Sequence, residues 1–385
     1  MLVIVEKSKC VGCGVCKAVC PKNAIEMKNH QNTGFLYPVV NETLCINCGL
    51  CKRTCPVLKE NNDNIEKEAF AAYALDENIR KNSSSGGIFS LLAEKILSEK
   101  GVVFGVSMSE NCLSAEHISV ENFDDLAKLR GSKYLQSDTK NSYSEVKKAL
   151  VDKRTAIFSG TPCQVAGLKA FLGKDYENLI TVDFICHGVP SPLAWRKYVE
   201  YREEKAASKT RRTFFRNKKN GWKTYSVQFE FSNCTEYLQI LSKDLYMRGF
   251  LADLYLRPAC FNCRFKDNSY KSDITLADFW GIDKVIQEWN DDRGVSLVIT
   301  NTQKGKSVLN QIKENAVCES IDFKTAFIGN PSYFESVRSK FVSKTVFKDL
   351  NRLPFNKFIE KYIGSSLKSK ILRRIHRFCA KLSKR

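Results

Sequence analysis

Cys10-Val11-Gly12-Cys13-Gly14-Val15-Cys16-Lys17-Ala18-Val19-Cys20-Pro21 is repeated 35 residues later as Cys45-Ile46-Asn47-Cys48-Gly49-Leu50-Cys51-Lys52-Arg53-Thr54-Cys55-Pro56. Each copy reads C-x2-C-x2-C-x3-C-P. Three thiolates two residues apart on a looped backbone can take three corners of one 4Fe–4S cubane, while the fourth reaches the other cluster. The expected sets are Cys10, Cys13, Cys16 and Cys55 on one cluster, and Cys45, Cys48, Cys51 and Cys20 on the other. Structural zinc prefers paired C-x2-C units separated by a longer loop, and three cysteines at this interval overfill a tetrahedral site. Disulfides need an oxidising compartment and suit such close spacing poorly. The repeat implies an electron-transfer module with pseudo-two-fold symmetry, two short hairpins and two helical turns.

The whole chain has 385 residues, 43% hydrophobic and 27% charged, with sixteen cysteines and a net charge of +19. That length exceeds one typical domain, and the composition is that of a folded protein. Met1 to Val5 reads as a short apolar strand running into the first motif, not as a signal peptide. No apolar run approaches the roughly 18 residues of a membrane span. A reducing cytosol is the expected setting, where cysteines bind metal or stay thiols.

Beyond a polar stretch at Glu60–Asn64, Ala69–Leu75 reads as a strand. Ser83-Ser84-Ser85-Gly86-Gly87 then opens a helix with apolar residues 88, 91, 92 and 96, for which serine is a good N-cap and Gly101 a stop. Val102–Val106 is a buried strand, and a helix is expected over Asn141–Leu150. From Ala156 the order is strand, Ser159-Gly160-Thr161-Pro162-Cys163, helix, strand Leu179–Ile185, Cys186-His187-Gly188-Val189-Pro190, helix. That alternation predicts parallel strands in one sheet. Strand structure is expected over Phe214–Phe231, Ile274–Phe279 and Ser296–Thr300, with helices near Leu241–Leu254 and Lys304–Glu314.

Cys163 and Cys186 each follow a predicted parallel strand, at the sheet edge where open α/β folds form their crevice. With Cys260-Phe261-Asn262-Cys263 they supply four ligands, enough for a third 4Fe–4S cluster. Zinc is an alternative occupant, and Cys163 and Cys186 can equally be read as small core residues. Cys112, Cys234, Cys318 and Cys379 read as plain thiols.

In order, Ser83–Gly87, Gly131-Ser132-Lys133-Tyr134, Ser159–Gln164, Cys186–Ser191 and Asp273-Ile274-Thr275-Leu276-Ala277-Asp278-Phe279-Trp280-Gly281 resemble the coenzyme F420 hydrogenase/dehydrogenase beta-subunit family, with a dicluster ferredoxin domain fused in front. The likeness runs from about Ala69 to Lys313. It implies a flavin-dependent oxidoreductase with FAD and 4Fe–4S clusters, and it strengthens the reading of a third cluster. Its partners would be a ferredoxin or another oxidoreductase subunit, and a small-molecule acceptor. The acceptor would be the deazaflavin coenzyme or, since many such fusions resemble members of surface-polysaccharide loci, an intermediate of polysaccharide biosynthesis.

From the residues themselves, Ser84, Ser85, Gly86 and Gly87 can offer backbone N–H groups and a helix dipole to a diphosphate, as can Gly160 and Thr161. Ser132 lies in the second of these motifs, and Lys133 can neutralise a phosphate or a reduced flavin. Neither a Walker A lysine nor a G-x-G-x-x-G follows a strand, and Ser83–Gly87 can also be only a capped helix start. His187 can supply a proton or hydrogen-bond its loop, and the loop reading is preferred. Asp183 and Asp278 lie at strand ends and read as structural. The basic run Arg211–Lys223 reads as a rim attracting an acidic donor or anionic substrate, in preference to nucleic acid. Leu367–Arg385 has the pattern of a basic amphipathic helix, for a membrane surface or for the protein's own core.

The expected class is α+β. A dicluster domain (1–62) precedes an α/β flavoprotein region with a mostly parallel or mixed sheet, in two parts (63–152 and 153–345), and a helical basic tail (346–385). The expected setting is the cytoplasm, with possible peripheral contact at the inner membrane face.

Overall fold

The computed structural model describes residues 3–59, 66–267, 272–338, 341 and 343–364. The basic tail from Leu367, Cys379 and the polar stretch at Glu60–Asn64 lie outside these residues.

A nine-stranded mixed sheet organises the chain. From edge to edge it runs Ala316–Ile321, Glu68–Ala74, Ser296–Thr300, Ile274–Asp278, Leu179–Phe184, Ala156–Ser159, Val102–Met108, Ala115–Val120 and Ser137–Asp138. Its centre is parallel. Ile157 stands opposite Ile180 and Val103, and Ile274 opposite Val182. The strands flanking this centre pair antiparallel to it. The expected mixed sheet and α+β class are therefore what forms.

The central strands are buried on both faces, which is why they read as unbroken apolar runs. On one face Val103, Ile157, Ile180, Ile274 and Val298 pack with Ile88, Leu91, Leu92 and Ile96 of the helix Ile88–Ser98. On the other, Phe104, Phe158 and Leu179 meet the helices Ser142–Val151 and Pro162–Leu172. A three-stranded antiparallel sheet, Thr210–Asn217, Ser226–Phe231 and Glu236–Ile240, stands beside this layer. An aromatic core of Trp195, Tyr198, Phe229, Tyr246, Tyr255 and Phe358 joins it to the helices Pro192–Ala206, Leu245–Leu251 and Phe355–Ile363.

The N-terminal segment is clamped to that body. Phe35 and Tyr37 of its hairpin enter the aromatic core, and Ser191 donates to the Thr33 carbonyl. Gly34 has φ +72°, and a Cβ there would come within 2.5 Å of the Leu193 backbone nitrogen. Only glycine allows both the turn and that approach.

Several local expectations change. In the N-terminal segment, among its described residues, one hairpin forms, Ile25–Asn29 with Leu36–Val40, rather than two. Val3–Val5 is not a strand, because Ile4 turns inward against Cys16, Ile25 and Val40. The helix at residue 88 is capped by Gly87 at φ +95° with no side-chain cap, while the serines before it bond elsewhere. The helix expected near Leu241–Leu254 shortens to Leu245–Leu251, since Glu236–Ile240 completes the small sheet and Asp244 accepts from the Met247 N–H at 2.8 Å.

Candidate functional site

Twelve cysteines gather into three thiol groups. Cys10, Cys13, Cys16 and Cys55 are buried. Burial, then the proximity of Cys10 and Cys55, pushes the Cys16 thiol up to about 12. Cys20, Cys45, Cys48 and Cys51 lie nearer solvent, with Cys48 exposed. Cys163 lies in the first turn of the helix Pro162–Leu172, Cys186 follows the strand Leu179–Phe184, Cys260 lies within a short 3-10 turn at Pro258–Asn262 and Cys263 directly follows it. Burial pushes Cys163 up to about 12 and Cys260 up to about 11, and neighbouring thiols of the same group reinforce both shifts. Cys186 is likewise raised, by burial first and then by Cys260, Cys163 and Cys263.

Polar groups reach these sulfurs. The Ala24 N–H donates to Cys20 Sγ at 3.3 Å, Val189 N–H to Cys260 Sγ at 3.3 Å and Phe265 N–H to Cys263 Sγ at 3.4 Å. Thr161 Oγ1 lies 3.1 Å from Cys163 Sγ. Thiols supplied with N–H donors suit anionic iron–sulfur clusters, whose thiolates need that stabilisation. Among the described residues no three His, Cys, Asp or Glu side chains converge closely enough for a single metal ion.

The groups adjoin one another. Cys55, Cys163 and Cys263 share a small apolar cluster with Val57, Ala166 and Phe265. A Cβ on Gly167 would fall 3.1 Å from Cys13 Cβ and 2.7 Å from the Tyr143 hydroxyl. That hydroxyl lies 2.8 Å from the Cys13 carbonyl and 2.9 Å from the Gln164 carbonyl and shares its one proton between them, tying motif to helix. Gly167→Leu should therefore lower stability by about 1–3 kcal/mol through overpacking, read as an earlier denaturant midpoint.

A cavity of about 690 Å³ lies at the C-terminal edge of the parallel strands. That volume lies within the roughly 300–1,000 Å³ of small-molecule and cofactor sites. Ser84, Ser85, Gly87, Ser132, Lys133, Gly160 and Thr161 line it, together with Cys163, Cys186 and His187. Gly86 does not line it. Its N–H donates to Ser296 Oγ at 3.0 Å, and a Cβ would meet the Ala72 carbonyl at 2.4 Å. Ser84 Oγ accepts from the Ser132 N–H at 2.9 Å, joining the first two motifs. Other donors are already engaged. The Thr161 N–H goes to Gln164 Oε1 and the Gly160 N–H to the Val182 carbonyl. Lys133 Nζ donates to the Lys128 and Arg130 carbonyls, and desolvation lowers its pKa to about 7. His187 Nε2 lies 2.7 Å from Asp253 Oδ1.

Arg216 was hidden within the basic run. That run forms no single rim, because the strand Thr210–Asn217 is exposed at Arg211 and Arg212 and buried at Phe215 and Arg216, where its pairing with the next strand is irregular. Arg211 and Arg212 stay exposed beside Glu230. Arg216 turns inward, its side chain 3% exposed, and forks onto Asp278 with two 2.8 Å bonds. It also donates to the Ser84 carbonyl at 3.0 Å, while its Nε has no partner among the described residues. Lys218 Nζ donates to the Ser85 carbonyl at 2.6 Å. Trp280 lines the cavity and stacks on Trp222 at 4.7 Å, whose indole N–H donates to Asp278.

Asp183 also borders the cavity. One carboxyl oxygen accepts from Thr275 at 2.6 Å, the other has no partner among the described residues, and burial raises its pKa to about 7. The unfolded chain loses this proton near pH 3.9, before the folded one. Stability should therefore fall as pH rises from about 4 to about 7 and then level. Asp183→Asn should flatten that slope in denaturant titrations at pH 5 and pH 7.

Residues 9–58 match a 4Fe-4S dicluster domain. In the family described as coenzyme F420 hydrogenase/dehydrogenase, residues 69–142 match the N-terminal part of the beta subunit and residues 153–325 its C-terminal part. A xenon-derivatised F420-reducing NiFe hydrogenase complex from Methanosarcina barkeri is similar at 16% identity, over 80% of this chain and 97% of that chain, with a TM-score of 0.47. No curated protein matches the sequence. The domain matches define an iron–sulfur electron-transfer protein of an oxidoreductase family. The chain belongs to the coenzyme F420 hydrogenase/dehydrogenase beta-subunit family, with a dicluster domain in front. Among the described residues no helix is long and apolar enough to cross a membrane.

Proposed function

We propose that the chain is an iron–sulfur flavoprotein oxidoreductase that moves electrons between its clusters and a small-molecule acceptor. The observation that carries this reading is continuity: the Cys163 group touches the buried N-terminal thiols on one side and borders the cavity on the other. Cys20, Cys45, Cys48 and Cys51 ligate the outer cluster, and Cys10, Cys13, Cys16 and Cys55 the second. Cys163, Cys186, Cys260 and Cys263 ligate a third.

FAD fits the cavity through its diphosphate. The N-terminus of the helix Ile88–Ser98, which has no side-chain cap, opens there beside Ser84 and Ser132, as an anion site requires. Arg216, which lines the cavity, adds a positive charge, and Trp280 provides an aromatic wall. Bound there, a flavin supplies two-electron exchange with a substrate and one-electron exchange with iron–sulfur centres. His187, held by Asp253, orients the Cys186 loop instead of delivering protons. The acceptor is a deazaflavin, in keeping with the family's description, or a polysaccharide-biosynthesis intermediate in a host without one. A ferredoxin or a partner subunit supplies or takes the electrons.

Anaerobically purified protein should carry about twelve irons, four per cubane, and a flavin. Reduced ferredoxin should reduce that flavin. About eight irons with no flavin after reconstitution would overturn the proposal.

A further inference from the structure

Arg257 stands three residues before Cys260 and is 1% exposed. Its Nε donates to the Cys10 carbonyl at 2.6 Å, and Nη2 to the Leu36 carbonyl at 2.9 Å and to Cys10 Sγ at 3.6 Å. Nη1 donates to Gln136 Oε1 at 3.1 Å. The guanidinium also lies over the rings of Tyr37, at 4.4 Å, and Phe35, at 5.2 Å. None of these partners, among the described residues, is a carboxylate.

The backbone of Arg257 belongs to the other thiol group. Its N–H donates to the Val189 carbonyl, and its carbonyl accepts from the Cys260 N–H, both at 2.9 Å. Its charge reaches Cys163 and Cys260. The N-terminal motif is shaped around it. A Cβ on Gly12 would stand 2.8 Å from Arg257 Nη1 and 2.5 Å from Gln136 Nε2, and Gly12 has φ +72°. The residue just before Cys13 therefore has to be glycine for the guanidinium to sit beside Cys10.

A buried cation without a counter-ion is strongly unfavourable. A cubane held by four thiolates is anionic, and it becomes more so by one charge on reduction. We propose that Arg257 is the shared counter-charge of the two inner clusters, at Cys10, Cys13, Cys16 and Cys55 and at Cys163, Cys186, Cys260 and Cys263, and that it raises the reduction potentials of both. The proposal rests on the cluster assignment made above and gives that assignment a direction. Burial disfavours the added charge of a reduced cluster. On burial alone the inner clusters would lie below the outer one, whose Cys48 is exposed, and inward transfer would run uphill. A fixed cation between them offsets that penalty for both at once. Arg257 touches no reacting atom and acts as a positioning and tuning residue.

The test is an EPR-monitored redox titration of the full chain, with iron assayed on each sample. Arg257→Gln removes the charge. Gln136→Glu neutralises it in place, by a near-isosteric change at an existing contact. In both variants two of the three cluster signals should move to lower potential and the outer one should stay. The reduced-to-oxidised ratio at a given potential should fall about tenfold, which is about 59 mV for a one-electron couple. Arg257→Lys keeps the charge and should keep the potentials near wild type.

Unchanged potentials with full iron in Arg257→Gln and Gln136→Glu would overturn the proposal. So would an equal fall in Arg257→Lys, which would trace the effect to packing. Loss of iron from both neutralised variants, with retention in Arg257→Lys, supports the counter-charge; loss from all three overturns it. A wild type with only about eight irons would refute the third cluster separately, and the shift would then be read on the Cys10 cluster alone.

Discussion

Cys163→Ser should lower the iron content from about twelve to about eight per chain, because a hydroxyl is a poor substitute for a thiolate ligand. The two N-terminal clusters should remain, since the eight ligands proposed for them lie within Cys10–Cys55. Electron flow between reduced ferredoxin and the flavin should drop by orders of magnitude. Reduction of the flavin by an artificial two-electron donor should persist, because the cavity walls at Ser84, Ser132 and Arg216 are untouched. The paired assay is decisive. If ferredoxin-driven turnover survives with the iron lost, the Cys163 group is not on the route. If iron stays at the wild-type level, the group does not ligate a cluster. Cys186→Ser should behave alike, because Cys186 shares its surroundings with Cys260, Cys163 and Cys263.

The second large effect concerns Arg216. Its fork onto Asp278 is buried on the arginine side and only partly exposed on the aspartate side. Removing one partner of such a pair strands the other, at a cost of about 3–5 kcal/mol. Arg216→Met should therefore shift the unfolding midpoint markedly, and it should also abolish flavin retention, because the same guanidinium holds the Ser84 carbonyl. Arg216→Lys keeps the charge but not the planar fork, and should recover part of the stability while binding flavin weakly. The double variant Arg216→Met with Asp278→Leu should regain part of the stability, short of wild type because the Trp222 indole N–H loses its acceptor, without regaining flavin. Recovery of both would show that the pair serves the fold alone.

Much of this was legible in the chain because its strongest signals are local. The cysteine repeat fixes its own geometry within a dozen residues, and the strands Ala156–Ser159 and Leu179–Phe184 reveal a parallel pair through their apolar runs and intervening helix. Order along the chain, not spacing, linked Ser83–Gly87 to Gly131–Tyr134, and Ser84 and Ser132 do bond. What stayed hidden depends on pairing across long separations. Arg216 looked like one more surface cation until its strand turned it toward Asp278, 62 residues on. Arg257 carried only one clue, its place just before Pro258 and the C-x2-C pair. The strand Ala115–Val120 gave no signal because the polar His117 takes a buried position and the apolar Ile118 a partly exposed one, so its hydrophobicity does not alternate.

Three glycines bear on how the molecule works over time. Gly12 admits Arg257, Gly34 admits the Leu193 backbone and Gly167 admits Cys13, each at a separation that a methyl group would crowd. A domain seated through three such contacts cannot act as a swinging arm that visits a donor and returns. On the proposed cluster assignment the tunnelling gap would then stay constant, and internal transfer should be insensitive to solvent viscosity. On that reading the diffusive event would be the arrival of a redox partner at the solvent-facing edge around Cys48, with Leu44 and Ile46 exposed beside it.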